Sequence, residues 1–146
     1  MTEKPHILIV DASFYADIVD ELRAGATEAL EQAGATFERV SVPGALEAPA
    51  AVAIAADTGR FDGFVVLGCV IRGETSHYDY VCSESAHGLQ ILAVERRLAI
   101  GNGILTTENQ AQAMVRAKRS EKNKGRDAVE ACLAVLALKQ RFAVEV

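Results

Sequence analysis

The chain has 146 residues and a formal net charge of -5, with 50% apolar residues but only 5% aromatics and no tryptophan. That length suits one domain, residues 1–146, with a real hydrophobic core, and the acidic balance argues against a nucleic-acid or anionic-membrane partner. No apolar run approaches the roughly 20 residues of a membrane span, and the first residues lack signal-peptide architecture. Three widely spaced cysteines, Cys69, Cys82 and Cys132, form no metal-binding pattern and suit a reducing cytoplasm.

In chain order, apolar runs alternate with helical patterns. Ile7-Leu8-Ile9-Val10 is a continuous run of the kind buried on both faces of a parallel sheet. Helical spacing over 16–33 follows, with Gly34 as its C-terminal stop. A second strand covers 37–42 and ends at Pro43-Gly44; a short alanine-rich helix covers 47–57. Phe64-Val65-Val66-Leu67 marks the third strand and 78–97 the third helix. The fourth strand, 99–105, is weakened by Gly101 and Gly103. Thr106 or Thr107 is expected to cap a fourth helix, and a basic stretch over 118–126 precedes a last helix at 127–139. Repeated βα units imply a mostly parallel sheet with helices on both faces, an α/β fold. The last helix is apolar nearly all round, so a second covering surface is expected, from another subunit or from the tail 141–146.

The most informative run is Gly68-Cys69-Val70-Ile71-Arg72-Gly73-Glu74-Thr75-Ser76-His77-Tyr78-Asp79. It passes from a strand end through a glycine into a helix start, where open α/β sheets place ligands and where free backbone N–H groups receive anions. His77 adds a group that carries protons near neutral pH; the helix dipole disfavours its cationic form there. Phe14, after the first strand, either stacks on a planar ligand or plugs the core, with little to choose between them. Glu47 either stabilises its helix start or binds hydroxyls, and the structural role is sufficient alone. Just before the basic stretch Arg116 stands apart, because it ends the fourth helix and could reach back to an anion beside His77. The other basic residues read as a solvated face. No dinucleotide, Walker or zinc motif is present.

Four segments carry a resemblance: Val42-Pro43-Gly44-Ala45-Leu46-Glu47; the run from Gly68 to Asp79; Thr106-Thr107-Glu108-Asn109; and Arg116 with Asn123-Lys124-Gly125. In order and spacing they resemble the 6,7-dimethyl-8-ribityllumazine synthase family of riboflavin biosynthesis. The resemblance implies a flavodoxin-like, three-layer α/β/α subunit around a four-stranded parallel sheet. It also implies a homopentamer with active sites shared between neighbours. The implied reaction condenses 5-amino-6-(D-ribitylamino)uracil with 3,4-dihydroxy-2-butanone 4-phosphate and needs no cofactor or metal. On that resemblance Phe14 stacks on the pyrimidine, and Ala45, Leu46 and Glu47 hold the ribityl chain. Cys69, Val70 and Ile71 read the pyrimidine edge; Glu74 and Thr75 cradle the phosphate; Arg116 clamps it; His77 transfers protons; and Lys124 lies near the shared site.

Two positions depart from the family pattern. Asn102 stands where an aromatic is common, which makes one wall of the pyrimidine pocket polar. Residues 118–122, Lys-Arg-Ser-Glu-Lys, lack the Gly-Thr-Lys-Ala-Gly pattern associated with sixty-subunit shells, so free pentamers, single or paired, are expected. The competing function is a non-catalytic lumazine or flavin carrier; a phosphate clamp beside a histidine argues against it.

Overall fold

Ile7, Leu8, Ile9 and Val10 are buried in the first strand of a parallel sheet in the computed structural model, which describes residues 4–142. The elements in order are β1 (His6–Ala12), α1 (Ala16–Gln32), β2 (Thr36–Val42), α2 (Ala48–Ala56), β3 (Gly63–Ile71), α3 (His77–Glu95), β4 (Ile100–Thr107), α4 (Gln110–Ala117) and α5 (Lys124–Arg141). A single 3-10 turn, Ala45–Glu47, leads into α2. The four strands pair in the order β2-β1-β3-β4, all parallel. Central β3 is buried along eight of its nine residues, as its continuous apolar run dictates.

Side chains alternate across each strand, so the sheet feeds two cores. Ile7, Ile9, Val65 and Leu67 pack with Leu22 and Leu30 of α1, Ala113 of α4 and Cys132 of α5. Leu8, Val10, Phe64 and Val66 face the other way, against Val52 of α2 and Leu89 of α3. Helices therefore cover both faces, which is the three-layer flavodoxin-like arrangement.

Several boundaries differ from expectation for local reasons. Gly34 ends α1 as expected, with a φ of 76°. The fourth strand runs on to Thr107, and the cap of α4 is Asn109, whose side chain accepts the Gln112 N–H at 2.9 Å. Thr107 is committed to the strand, its hydroxyl donating to the Asn109 carbonyl at 3.0 Å. The last helix starts at Lys124, so part of the basic stretch is helical. Gly101 does not mark a weak strand. A Cβ there would stand 1.8 Å from the Ala128 carbonyl oxygen, so its bare backbone is what lets α5 lie against β4.

The inner face of α5 is buried through Ala128, Val129, Cys132 and Leu136. On its outer face Val135 and Leu138 are exposed, so one side of this helix is uncovered within the chain. Residues 143–146, most of the tail considered as a cover, lie outside the described residues. Among those described, no helix is long and apolar enough to cross a membrane.

Candidate active site

The carboxyl ends of β1, β2 and β3 open into a cleft of about 390 Å³, within the range of small-molecule sites. β1 releases the chain into Phe14 and Tyr15, whose rings meet edge to face at 4.9 Å between centroids. Phe14 is 75% exposed, so it does not plug the core; it stands as a bare ring at the cleft mouth.

β2 supplies the second wall. The Pro43-Gly44 turn is closed by Glu47, whose Oε1 accepts the Gly44 N–H at 3.0 Å. The structural role of Glu47 is thus real, and the residue also lines the cleft beside Ala45 and Leu46. Beneath this wall lies a network that sequence reasoning missed. Asp11 is fully buried, and its carboxylate accepts Arg39 Nε at 2.7 Å and the Ser41 hydroxyl at 2.6 Å. It fastens the ends of β1 and β2, which carry the two loops above. The signal available was an acid in an otherwise apolar run with an arginine on the next strand.

β3 ends as the cleft floor with Cys69, Val70 and Ile71. Burial pushes the Cys69 thiol up to about 11, against a hydrogen bond with Thr107. The thiol therefore stays protonated at neutral pH and is no nucleophile. The loop over 72–76 then turns into α3. His77 is the first residue of that helix, exposed and on the cleft wall with Thr75; its backbone N–H donates to Thr75 Oγ1 at 3.3 Å. Tyr15, Gly44, Gly73, Tyr78 and Val81 complete the lining. Glu74 is exposed and lies off the cleft wall.

Asn102, Arg116 and Lys124 are elsewhere. They line a second groove, about 430 Å³, along the open edge of the sheet between β4, α4 and α5. Arg116 does not reach back to the His77 cleft of its own chain. Its helix packs through Ala113 and Ala117 on the α1–α5 side, and Arg116 Nη1 donates to the Gln112 carbonyl at 3.0 Å. Lys124 Nζ is 3.2 Å from Asp127. One chain therefore carries a cleft with an exposed imidazole and a bare aromatic ring, and separately a groove with two cations. Among the described residues no group of histidine, cysteine and acidic side chains could hold a metal ion.

Fold and site define a flavodoxin-like α/β protein with a small-molecule cleft at the carboxyl edge of its sheet. The model of the 6,7-dimethyl-8-ribityllumazine synthase family matches residues 4–140. The chain is 54% identical over 143 residues to the 6,7-dimethyl-8-ribityllumazine synthase of Bartonella tribocorum, covering 97% of this chain and 95% of that one. To the synthase of Methylobacterium radiotolerans it is 59% identical over 134 residues, 92% of this chain and 82% of the relative. To 6,7-dimethyl-8-ribityllumazine synthase 1 of Rhizobium meliloti it is 56% identical over 145 residues, 96% and 95% of the two chains. The chain belongs to the 6,7-dimethyl-8-ribityllumazine synthase family.

Proposed function

We propose that this chain, as a single domain, condenses 5-amino-6-(D-ribitylamino)uracil with 3,4-dihydroxy-2-butanone 4-phosphate. The products are 6,7-dimethyl-8-ribityllumazine, phosphate and two waters. Family membership over nearly the whole chain supports the reaction. The observation that carries the site is the gathering of Phe14, Glu47, the Cys69–Ile71 strand end, Thr75 and His77 around one cleft.

The chemistry follows from the reactants. The primary amine attacks the ketone and water leaves, giving an imine; a proton comes off the adjacent carbon and phosphate departs. The resulting enol takes up a proton to become a ketone, and the ribitylamino nitrogen closes the ring with loss of a second water. These steps need a proton carrier and two reactants held face to face. His77 is the carrier, contributing about 10²–10⁴-fold, and co-binding supplies up to about 7–11 kcal/mol. Phe14 stacks on the pyrimidine, whose edge meets the backbone of Cys69, Val70 and Ile71. Ala45, Leu46 and Glu47 hold the ribityl chain, and Thr75 takes the phosphate at the start of α3, with Glu74 contributing through its backbone rather than its carboxylate.

Arg116 is the phosphate clamp, yet it stands in a different groove from His77. A homopentameric ring reconciles the two: the edge groove of one subunit closes over the cleft of its neighbour, bringing Arg116, Lys124 and Asn102 to the site. Free rings, single or paired, rather than sixty-subunit shells, suit the residues at 118–122. The free thiols of Cys69, Cys82 and Cys132 support a cytoplasmic setting.

Mixing the two substrates with purified protein and following lumazine fluorescence tests this reading. Turnover with phosphate release is expected. Tight flavin binding without turnover would make the chain a carrier instead.

A further inference from the structure

His77 must present its imidazole to the reactants, but nothing near it holds the ring directly. It is exposed, and among the described residues no side chain hydrogen-bonds its imidazole. Its orientation therefore depends on how the first turn of α3 is set on the end of β3. Past Arg72, the loop residues Gly73-Glu74-Thr75-Ser76 are all exposed, and a Cβ on Gly73 would meet nothing within 4 Å. Such a loop does not fix a helix start by its own packing.

One side chain spans it. The Arg72 N–H donates to the Thr107 carbonyl at 2.9 Å, the last tie between β3 and β4 before the loop. Its guanidinium lies over the Tyr78 ring, 4.3 Å from the centroid, and Nη1 is 3.5 Å from Asp79. Nε donates to Glu108 Oε2 at 3.0 Å, in the turn between β4 and α4. The side chain thus grips the two residues that follow His77 and anchors them to the neighbouring strand's exit. An isolated exposed ion pair contributes little, but a guanidinium shared among two carboxylates and a ring is a network, and a planar fork can satisfy all three at once.

We propose that Arg72 is a positioning residue that holds the start of α3, and with it the His77 imidazole, in register with the reactants. The inference rests on the reaction proposed above. A loosened clamp displaces a proton carrier without touching substrate, and misplacement by about 1 Å can cost up to about a hundredfold in rate.

The test is a double-mutant cycle on kcat. Arg72→Met should lower kcat at least about tenfold while KM for the ribitylaminouracil changes little. Arg72→Lys, which keeps the charge but loses the fork, should fall between. In a His77→Ala background Arg72→Met should cost less than about twofold more, because the group it positions is gone. Full activity of Arg72→Met, or the same loss with and without His77, overturns the inference. Should Arg72→Met fail to fold, Glu108→Gln carries the same cycle: a non-additive loss supports the clamp and an additive one sinks it. A wild-type chain without turnover overturns the proposed reaction, and the inference with it.

Discussion

His77 and Arg116 of one chain open into different clefts, the first between the ends of β2 and α3, the second along the free edge of β4. With the roles proposed above, a proton carrier and a phosphate clamp so placed would not meet on one substrate within a single subunit. This separation makes different predictions for the two residues.

Replacing His77 with alanine should lower kcat by about 10²–10⁴-fold and leave KM for the phosphate ester close to wild type. Both reactants still bind, so a residual rate from co-binding should persist. Steady-state kinetics on lumazine formation provide the check; an unchanged kcat/KM removes the proton role.

Arg116→Ala should act chiefly on capture of the phosphate ester, raising its KM by about tenfold to a hundredfold, as loss of a charge-assisted bond does. KM for the ribitylaminouracil should stay within about twofold. Varying one substrate at saturation of the other separates the two effects.

Gly101→Ala should be among the most damaging small substitutions in the chain. Its Cβ would meet the Ala128 carbonyl oxygen at 1.8 Å, so α5 must move off β4. A loss of about 3 kcal/mol, or on the order of 10 °C in melting temperature, is expected. Gly73→Ala, with open space around it, should change stability by less than about 0.5 kcal/mol. Thermal unfolding of both variants checks the contrast.

Lys139 is the reverse case, a residue the fold tolerates at a cost. It is buried on α5, and among the described residues its Nζ has no hydrogen-bond partner. Burial pushes its ammonium below the ordinary lysine value, partly opposed by Asp62. A lysine lowered on folding destabilises fully at pH below its folded value, and the penalty is relieved as pH rises through that value toward the unfolded one. Lys139→Met should therefore raise the melting temperature at pH 7 by a few degrees, from roughly 1 kcal/mol. The gain should shrink as pH rises toward the ordinary lysine value, about 10.4, and vanish above it, where the wild-type amine is neutral in both states. Melting curves across that pH range measure it.

Strands and helices were legible because this chain's patterns are long: the runs at 7–10 and 64–67 are too apolar for anything but buried strands, and the period over 16–33 suits only a helix. What the sequence obscured came from contacts between distant elements. Gly101 reads as a strand weakener until α5 is laid across it. Thr107 reads as a cap until its strand pairs with Ile71. The buried Asp11 shows no role in the sequence until Arg39 arrives beside it on β2. Most of the candidate site lay in two contiguous motifs, so its residues were named together and are found together. Arg116 reads as part of the same pocket because chain order says which element follows which strand, but not which side of the sheet it covers.

The most direct test of a site assembled from two chains is to mix His77→Ala with Arg116→Ala, co-unfold, refold and assay at phosphate-ester concentrations below the wild-type KM. If neighbouring subunits complete each other's site, random assembly leaves about a quarter of interfaces with both native residues. Lumazine formation should then rise well above the mean of the two variants alone. A mixture no faster than that mean, with mixed oligomers demonstrated, would contradict the shared site.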